Sequence, residues 1–240
     1  LLRPLNILKN NLEGELFFDQ TMRTIYATDA SVYREFPLAV AIPKNTNDLK
    51  QLIAFAQHHR TSLIPRAGGT SLAGQCVGNG IVVDISKHFN QILEVNKEEK
   101  WVRLQAGIIR DDLNVYLKPY GLFFGPNTST SNRAMIGGMI GNNSSGSYSI
   151  VYGTTRDHVL SMKALLSDGS EVEFKALTKG EFRRKCIGNT LENQIYRHIN
   201  NELSRPDVRE NIKNNFPKPQ IHRRNTCLLY TSPSPRDPVS

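Results

Sequence analysis

The 240-residue chain has little with which to cross-link itself, hold zinc or cross a membrane. Its three cysteines, Cys76, Cys186 and Cys227, are far apart and odd in number. That supply builds neither a disulfide framework nor a zinc pattern, and it points to a reducing, cytoplasmic setting. No run of 18 apolar residues occurs, which excludes a membrane-spanning helix. The chain opens Leu1-Leu2-Arg3, with neither an initiator Met nor an apolar export segment, so a natural start upstream is expected. The phosphate-binding pattern Gly-x-x-x-x-Gly-Lys-Ser/Thr is missing, which argues against a P-loop ATPase or kinase. No Gly-x-Gly-x-x-Gly opens a helix, which argues against a standard Rossmann dinucleotide site.

What is present supports a packed core. Apolar residues make up 39% and charged residues 22%, too apolar for a disordered chain and too aperiodic for a fibre. The net charge of +8 is local: residues 179–224 carry eleven basic and five acidic side chains. Leu38–Pro43, Ser62–Pro65 and Gly80–Ile85 read as short buried strands. Asn45 or Thr46 caps a helix carrying Leu49, Leu52, Ile53 and Ala56 at helical spacing. Further strands are expected at Ile92–Val95 and Trp101–Ala106, then a helix from about Ile109 to Lys118 with Gly121 as its stop. Asp168-Gly169 between Val159–Ser167 and Ser170–Phe174 signals a hairpin. Beyond it the chain is helical in character to about residue 216, with Leu191, Ile195, His198 and Ile199 on one face.

Two glycine-rich loops carry the chemistry. The first, Arg66-Ala67-Gly68-Gly69-Thr70-Ser71-Leu72-Ala73-Gly74, follows a strand directly. Adjacent glycines let successive N–H groups converge on an anion, and the Thr and Ser hydroxyls add donors. A tight turn without ligand is the plainer reading of two glycines alone. The second, Gly125 to Gly146, runs more than twenty positions in small polar residues and glycine, longer than a compact domain tolerates without a function. Gly137, Gly138 and Gly141 sit around apolar Met135, Ile136, Met139 and Ile140. That permits close approach of a flat ligand, or simply close packing. Two backbone-rich loops on one α/β unit suggest a long ligand with phosphates at its middle.

These loops, followed by Val151-Tyr152-Gly153-Thr154-Thr155-Arg156-Asp157-His158-Val159, resemble the FAD-binding domain of the p-cresol methylhydroxylase and vanillyl-alcohol oxidase flavoproteins. Within that superfamily the chain is most similar to FAD-linked D-lactate and glycolate-type dehydrogenases, in the long form with a C-terminal iron–sulfur domain. The resemblance spans roughly residues 13–226 and stops where Cys227-Leu228 replaces the family's Gly-Tyr. It implies an α+β fold of two subdomains, a small parallel-strand α/β unit and an antiparallel-sheet unit. The expected division is a lead-in at 1–37, an FAD-binding domain at 38–178 (38–124 and 125–178), and a helical segment at 179–226 leading to a substrate domain. Residues 227–240 resemble a translated sequencing adaptor and read as non-native.

The resemblance also implies roles. Arg66, Ala67, Gly68, Gly69, Thr70, Ser71 and Gly74 wrap the FAD diphosphate. Pro126, Asn127, Thr128, Ser129 and Thr130 border the flavin and its ribityl chain. Ile136, Gly137, Gly138, Gly141, Asn142, Ser145 and Gly146 line the diphosphate and adenosine side. Tyr152, Gly153, Asp157 and Val159 lie on a strand closing the adenine pocket. Thr70 stands where covalently flavinylated relatives carry His, so dissociable FAD is expected. The implied chemistry is oxidation of a 2-hydroxy acid, with hydride passing to flavin N5 and a base taking the hydroxyl proton. The base, the carboxylate-binding Arg and any metal ligands belong to the substrate domain, so no catalytic or metal residue is assigned here.

Other candidates read more plainly. His58, His59, His88 and His198 are surface or packing residues, His158 has a structural role beside the loops, and Asp111-Asp112 faces a helix N-terminus. The competing functions are another oxidase or reductase on the same fold, or a basic module docking nucleic acid or membrane through residues 179–224. Against the latter, the basic clusters lack interleaved aromatics, so no nucleic-acid partner is expected. Peripheral membrane contact by a full-length protein stays open.

Overall fold

The computed structural model describes residues 2–216. Residues 217–240, which include the expected junction with a substrate domain and the expected non-native tail, lie outside the described residues. Leu5, Leu8 and Leu12 recur at three- and four-residue spacing, and α1 (Leu2–Asn11) turns Leu5 and Leu8 onto its buried face. β1 (Glu15–Phe17) follows, then α2 (Gln20–Ile25), capped by Asp19. Every residue of β2 (Ala39–Ile42) and of β4 (Ile81–Asp84) is buried, as befits strands covered on both faces. Between them, α3 (Thr46–His59) is capped by Asn45, whose side chain accepts from the Asp48 N–H at 3.0 Å. It buries Leu52, Phe55 and Ala56, and ends at Arg60 in the left-handed conformation. β3 (Leu63–Arg66) completes a sheet of order β1-β2-β4-β3. β2, β4 and β3 are parallel and β1 is antiparallel at one edge. On the other edge, Ser62 and Arg66 carbonyls accept from Ile81 and Ile85. Leu63 and Pro65 therefore face away from β4, and Pro65 has no N–H to present.

β5 (Ile92–Asn96) and β6 (Trp101–Leu104) form an antiparallel hairpin, followed by α4 (Arg110–Leu117) and a 3-10 turn that stops at Gly121 with φ +69°. Two short helices, α5 (Ile136–Gly141) and α6 (Ser149–Tyr152), lead to the hairpin of β7 (Ser161–Leu165) and β8 (Glu171–Lys175) around Asp168-Gly169. α7 (Lys179–Lys185), α8 (Leu191–Ser204) and α9 (Pro206–Asn215) end the described chain. This is the expected α+β arrangement of a parallel-strand unit joined to antiparallel ribbons. In the basic segment Lys185 pairs with Glu192, and Arg205 with Glu202 and Asp207. None of α7, α8 and α9 carries a buried residue.

Among the described residues, two apolar clusters organise the fold. The first joins Leu5, Leu8, Leu12 and Leu16 to Ala39, Ala41, Leu52, Phe55, Ile81 and Val83. The segment expected to be a lead-in thus supplies four leucines to the first core and a strand to its sheet. Each such leucine contributes about 1.5–3 kcal/mol by leaving water. The second joins Ile108, Leu113 and Leu117 to Ala134, Ile136 and Met139, with Ile92, Val95, Val102 and Leu104 packed against it. The expected subdomain boundary at 124/125 falls inside this second cluster.

A buried carboxylate ties the N-terminal segment to the sheet. Asp48 is fully buried and accepts from the N–H groups of Glu13, Gly14 and Lys44 at 2.9, 2.9 and 2.8 Å. These three donors belong to two chain turns that have no ladder to pair with, so the carboxylate takes the place of a strand. Replacing Asp48 with Ala strands all three N–H groups and is expected to cost about 3 kcal/mol or more. Asp48→Asn keeps the volume and one carbonyl oxygen and should cost less. Urea unfolding of both variants checks this, and an Asp48→Ala midpoint equal to the parent's would contradict it.

Candidate dinucleotide site at the strand ends

The carboxyl ends of β3 and β4 open onto a cleft of about 360 Å³. It is lined by Tyr26, Arg66, Ala67 and Gly68, by Asp84 and Ser86, and by Ile109, Arg133 and Met135. Open parallel sheets bind ligands at this end, where the ladder stops and backbone donors lose their partners. The five backbone N–H groups from Gly68 to Leu72 donate to no described residue. Neither do the N–H groups from Asn127 to Thr130 in the second loop, nor that of Gly138. Unpaired N–H groups are rare in folded chains unless water or a ligand takes them.

The two loops read from the sequence come together. A Cβ on Gly68 would run into the carbonyl oxygen of Arg133, and one on Gly138 would come within 3.2 Å of the Ala67 methyl. The Gln75 side chain donates to Asn142 Oδ1 at 3.3 Å. Gly69 and Gly74 turn the first loop with φ +60° and +70°. Pro126 and Phe124 are held by the Arg110 guanidinium, which donates to their carbonyls at 3.0 and 3.1 Å and pairs with Asp111. Asp111 also accepts from the Ser131 hydroxyl at 2.9 Å, so the expected dipole partner anchors the second loop as well. Asn127 Oδ1 accepts from the Tyr148 N–H at 3.2 Å, and Gly146 packs on the Asn127 carbonyl. The Thr128 and Thr130 hydroxyls lie 3.4 Å apart.

Part of the second loop is regular. Residues 136–141 form α5, whose first N–H groups, of Ile136 and Gly137, donate to the Ile108 and Ala106 carbonyls. Ile136 is buried, and a Cβ on Gly137 would meet Ala106. Both residues therefore serve packing, whereas Gly141 has open space where a side chain would stand. Ser145 is half-buried between Ser144 and Gly146.

Tyr152, Gly153, Asp157 and Val159 were expected on a strand, and they are not. They lie at the end of α6 and around a 3-10 turn from Thr155 to His158. The reason is local: Gly153 takes φ +72°, and Asp157 accepts from both the N–H and the hydroxyl of Thr154 at 2.8 and 3.0 Å, a capping box that closes a turn. This segment reaches the second loop through Thr155, which donates to the Ser144 carbonyl, and Arg156, whose N–H donates to Asn143. None of the four lines the cleft. His158 meets the Tyr152 carbonyl at 2.6 Å and packs edge-on against Phe124, a structural role.

Tyr26, Asp84, Ser86 and Arg133 complete the cleft without having been singled out in the sequence. Asp84 is buried and accepts from the Tyr26 hydroxyl at 2.6 Å and the Ser86 N–H at 2.8 Å. Burial, and then that hydrogen bond, raise the Tyr26 hydroxyl well above its ordinary pKa. Burial likewise raises the Cys76 thiol and keeps it protonated. The Arg133 guanidinium is exposed and has no partner among the described residues. Only position could have marked these residues: Asp84 ends an apolar strand, and Arg133 interrupts a run of small polar side chains.

Asp157 is held below the ordinary aspartate range, chiefly by the Thr154 N–H against opposing desolvation. A depressed carboxylate contributes stability that is present above its unfolded pKa and lost as pH falls through the folded one. The turn over the second loop should therefore weaken in acid, below about pH 4. Asp157→Asn is expected to flatten the fall in unfolding midpoint between pH 6 and 3, and equal slopes would refute the assignment.

A family model described as FAD binding domain matches residues 37–175. The chain is 40% identical to a D-2-hydroxyglutarate dehydrogenase of Pseudomonas putida over 228 residues, which covers 93% of this chain and 22% of that protein. It is 32% identical to the glycolate oxidase subunit GlcD of Bacillus subtilis, covering 87% of this chain and 43% of that one. The chain thus spans about a fifth of the first relative and less than half of the second. Among solved structures, an alkyldihydroxyacetonephosphate synthase superposes with a TM-score of 0.65 at 21% identity, covering 73% of this chain and 38% of that chain, which is a likeness of fold.

Proposed function

The chain belongs to the FAD-binding domain family, and from that premise we propose that it is the cofactor-binding part of a flavin-dependent dehydrogenase acting on a 2-hydroxy acid. The observation that carries the reading is the convergence of two loops whose backbone N–H groups are unpaired, at the carboxyl ends of parallel strands. Such donors fit a diphosphate, and Gly141 leaves room for a flat group beside α5.

Arg66 through Ser71 with Gly74 would hold the diphosphate, joined by the free guanidinium of Arg133. Pro126 to Ser129 would border the flavin, with Gly138, Gly141, Asn142, Ser145 and Gly146 toward the adenosine. Ile136 and Gly137 support that wall by packing rather than by contact. Tyr152, Gly153, Asp157 and Val159 would act on it indirectly, by bracing Asn143 and Ser144. When bound, FAD supplies the two-electron acceptor for such an oxidation. These residues bind and orient it; the base and the carboxylate-binding cation are proposed to lie in further domains, with an iron–sulfur cluster in a C-terminal part. Thr70 offers no imidazole, so the flavin is proposed to be non-covalent. A cytoplasmic setting belongs to this proposal. Among the described residues no helix is long and apolar enough to cross a membrane.

Purified protein is expected to bind FAD at one per chain and to release it on acid precipitation; flavin retained on the pellet would overturn the non-covalent reading. In the full-length protein, anaerobic addition of D-2-hydroxyglutarate, D-lactate or glycolate should bleach the flavin band for at least one of the three. Gly141→Ala separates folding from binding. An alanine there is expected to leave the apo-protein as stable or up to about 1 kcal/mol more stable, while lowering FAD affinity. Unchanged affinity would remove Gly141 from the site.

A further inference from the structure

The first loop does not hold its own shape. Gly69 turns through the left-handed region directly over the Arg66 guanidinium, where a Cβ would stand 2.8 Å from Arg66 Nη2. The guanidinium lies 5.1 Å from the centre of the Tyr26 ring, and its Nη1 donates to the Thr28 carbonyl at 2.8 Å. Tyr26 in turn donates to the buried Asp84 carboxylate across 58 positions of sequence. The same stretch holds the loop once more, and the chain just past it as well. The Ala30 N–H donates to the Gly69 carbonyl at 3.1 Å, and Asp29 accepts from the Cys76 N–H at 3.4 Å. The loop thus rests on a stack of Gly69, Arg66 and Tyr26, footed on the end of β4.

We propose that Tyr26 is a positioning residue for diphosphate binding: anchored by Asp84, its ring fixes the Arg66 guanidinium, which shapes the turn at Gly69 and aims the N–H groups of Gly68 to Leu72. The inference rests on the FAD reading and extends it to a segment outside the residues matched by the family model. Physically, a planar guanidinium on an aromatic face is oriented as well as attracted, which a lysine ammonium would not be. Charge at the loop and its geometry are therefore separate contributions, and substitutions divide them.

The test uses the 240-residue chain with FAD and, as a probe that carries the diphosphate without the flavin, ADP. Adenosine, which lacks phosphate, is the control. Tyr26→Leu removes the ring, Tyr26→Phe keeps it and frees Asp84, and Arg66→Lys keeps the charge without the planar face. Tyr26→Leu and Arg66→Lys are expected to weaken FAD and ADP together by roughly tenfold, with adenosine unchanged. Tyr26→Phe should weaken them by a smaller factor, and Asp84→Asn, which keeps an acceptor, should stay closer to the parent. Apo-protein unfolding midpoints, measured alongside, identify a variant that has lost its fold. Should Tyr26→Leu be one, Arg66→Lys decides. FAD and ADP affinities within twofold of the parent in folded Tyr26→Leu, or in Arg66→Lys, would overturn the proposal, as would an equal loss of adenosine binding. A parent chain that binds neither FAD nor ADP would instead remove the FAD reading, and this inference with it.

Discussion

The ladder between β3 and β4 ends at Arg66 and Asp84, and the backbone beyond that point has to find other partners. Inside the sheet each strand satisfies its neighbour. Past Arg66 the first loop turns away with five N–H groups facing no described acceptor. The second loop arrives against it with more of the same, from Asn127 to Thr130. An anion settled between them would complete the hydrogen bonding that the fold leaves open. The protein contributes few charges to this arrangement. Arg66 is occupied beneath the loop, and the Arg133 guanidinium has no partner among the described residues. The basic excess of residues 179–224 lies elsewhere in the chain, and within it Lys185 on α7 and Arg205 between α8 and α9 are already paired.

Keeping donors unpaired is costly, so the loops are held by everything around them. Carboxylates do much of that work. Asp48 fastens the N-terminal turns to α3, Asp84 fixes Tyr26, Asp111 ties Ser131 to α4, and Asp157 closes the turn over Asn143 and Ser144. Each accepts from groups distant in sequence or lying outside any ladder, where a charge-assisted bond outweighs a neutral one. The apolar clusters supply bulk stability, and these four acids give the irregular chain its shape.

Much of this was legible in the sequence because much of it is local. Short apolar runs marked β2 and β4, Asn45 marked the start of α3, Gly121 a stop and Asp168-Gly169 a hairpin. The two loops showed themselves through glycine, because the turns at Gly69 and Gly74 need a residue without a Cβ. What escaped was set at long range. Strand β1 has three residues, too few for any pattern to show, and forms because β2 lies beside it. Tyr26 means nothing without Asp84, 58 positions on. The strand expected around Thr155–His158 followed from the family resemblance alone, and the capping box between Thr154 and Asp157 makes the segment a 3-10 turn instead. Ile136 and Gly137 had the composition of a ligand wall, but only the Ala106 and Ile108 carbonyls reveal that their backbone is spoken for.

The two margins of the four-stranded sheet have a consequence for how the chain behaves among its own copies. Parallel sheets normally continue by adding strands, and a bare margin invites a second molecule to do so. Here one margin is closed by three residues of β1 running the opposite way, too short to template a partner. The other is β3, whose outward-facing Pro65 breaks the row of donors that an incoming strand would need. The same proline begins the approach to the glycine loop, so the residue that launches the chain into that loop also denies an incoming strand a donor at this margin of the described sheet.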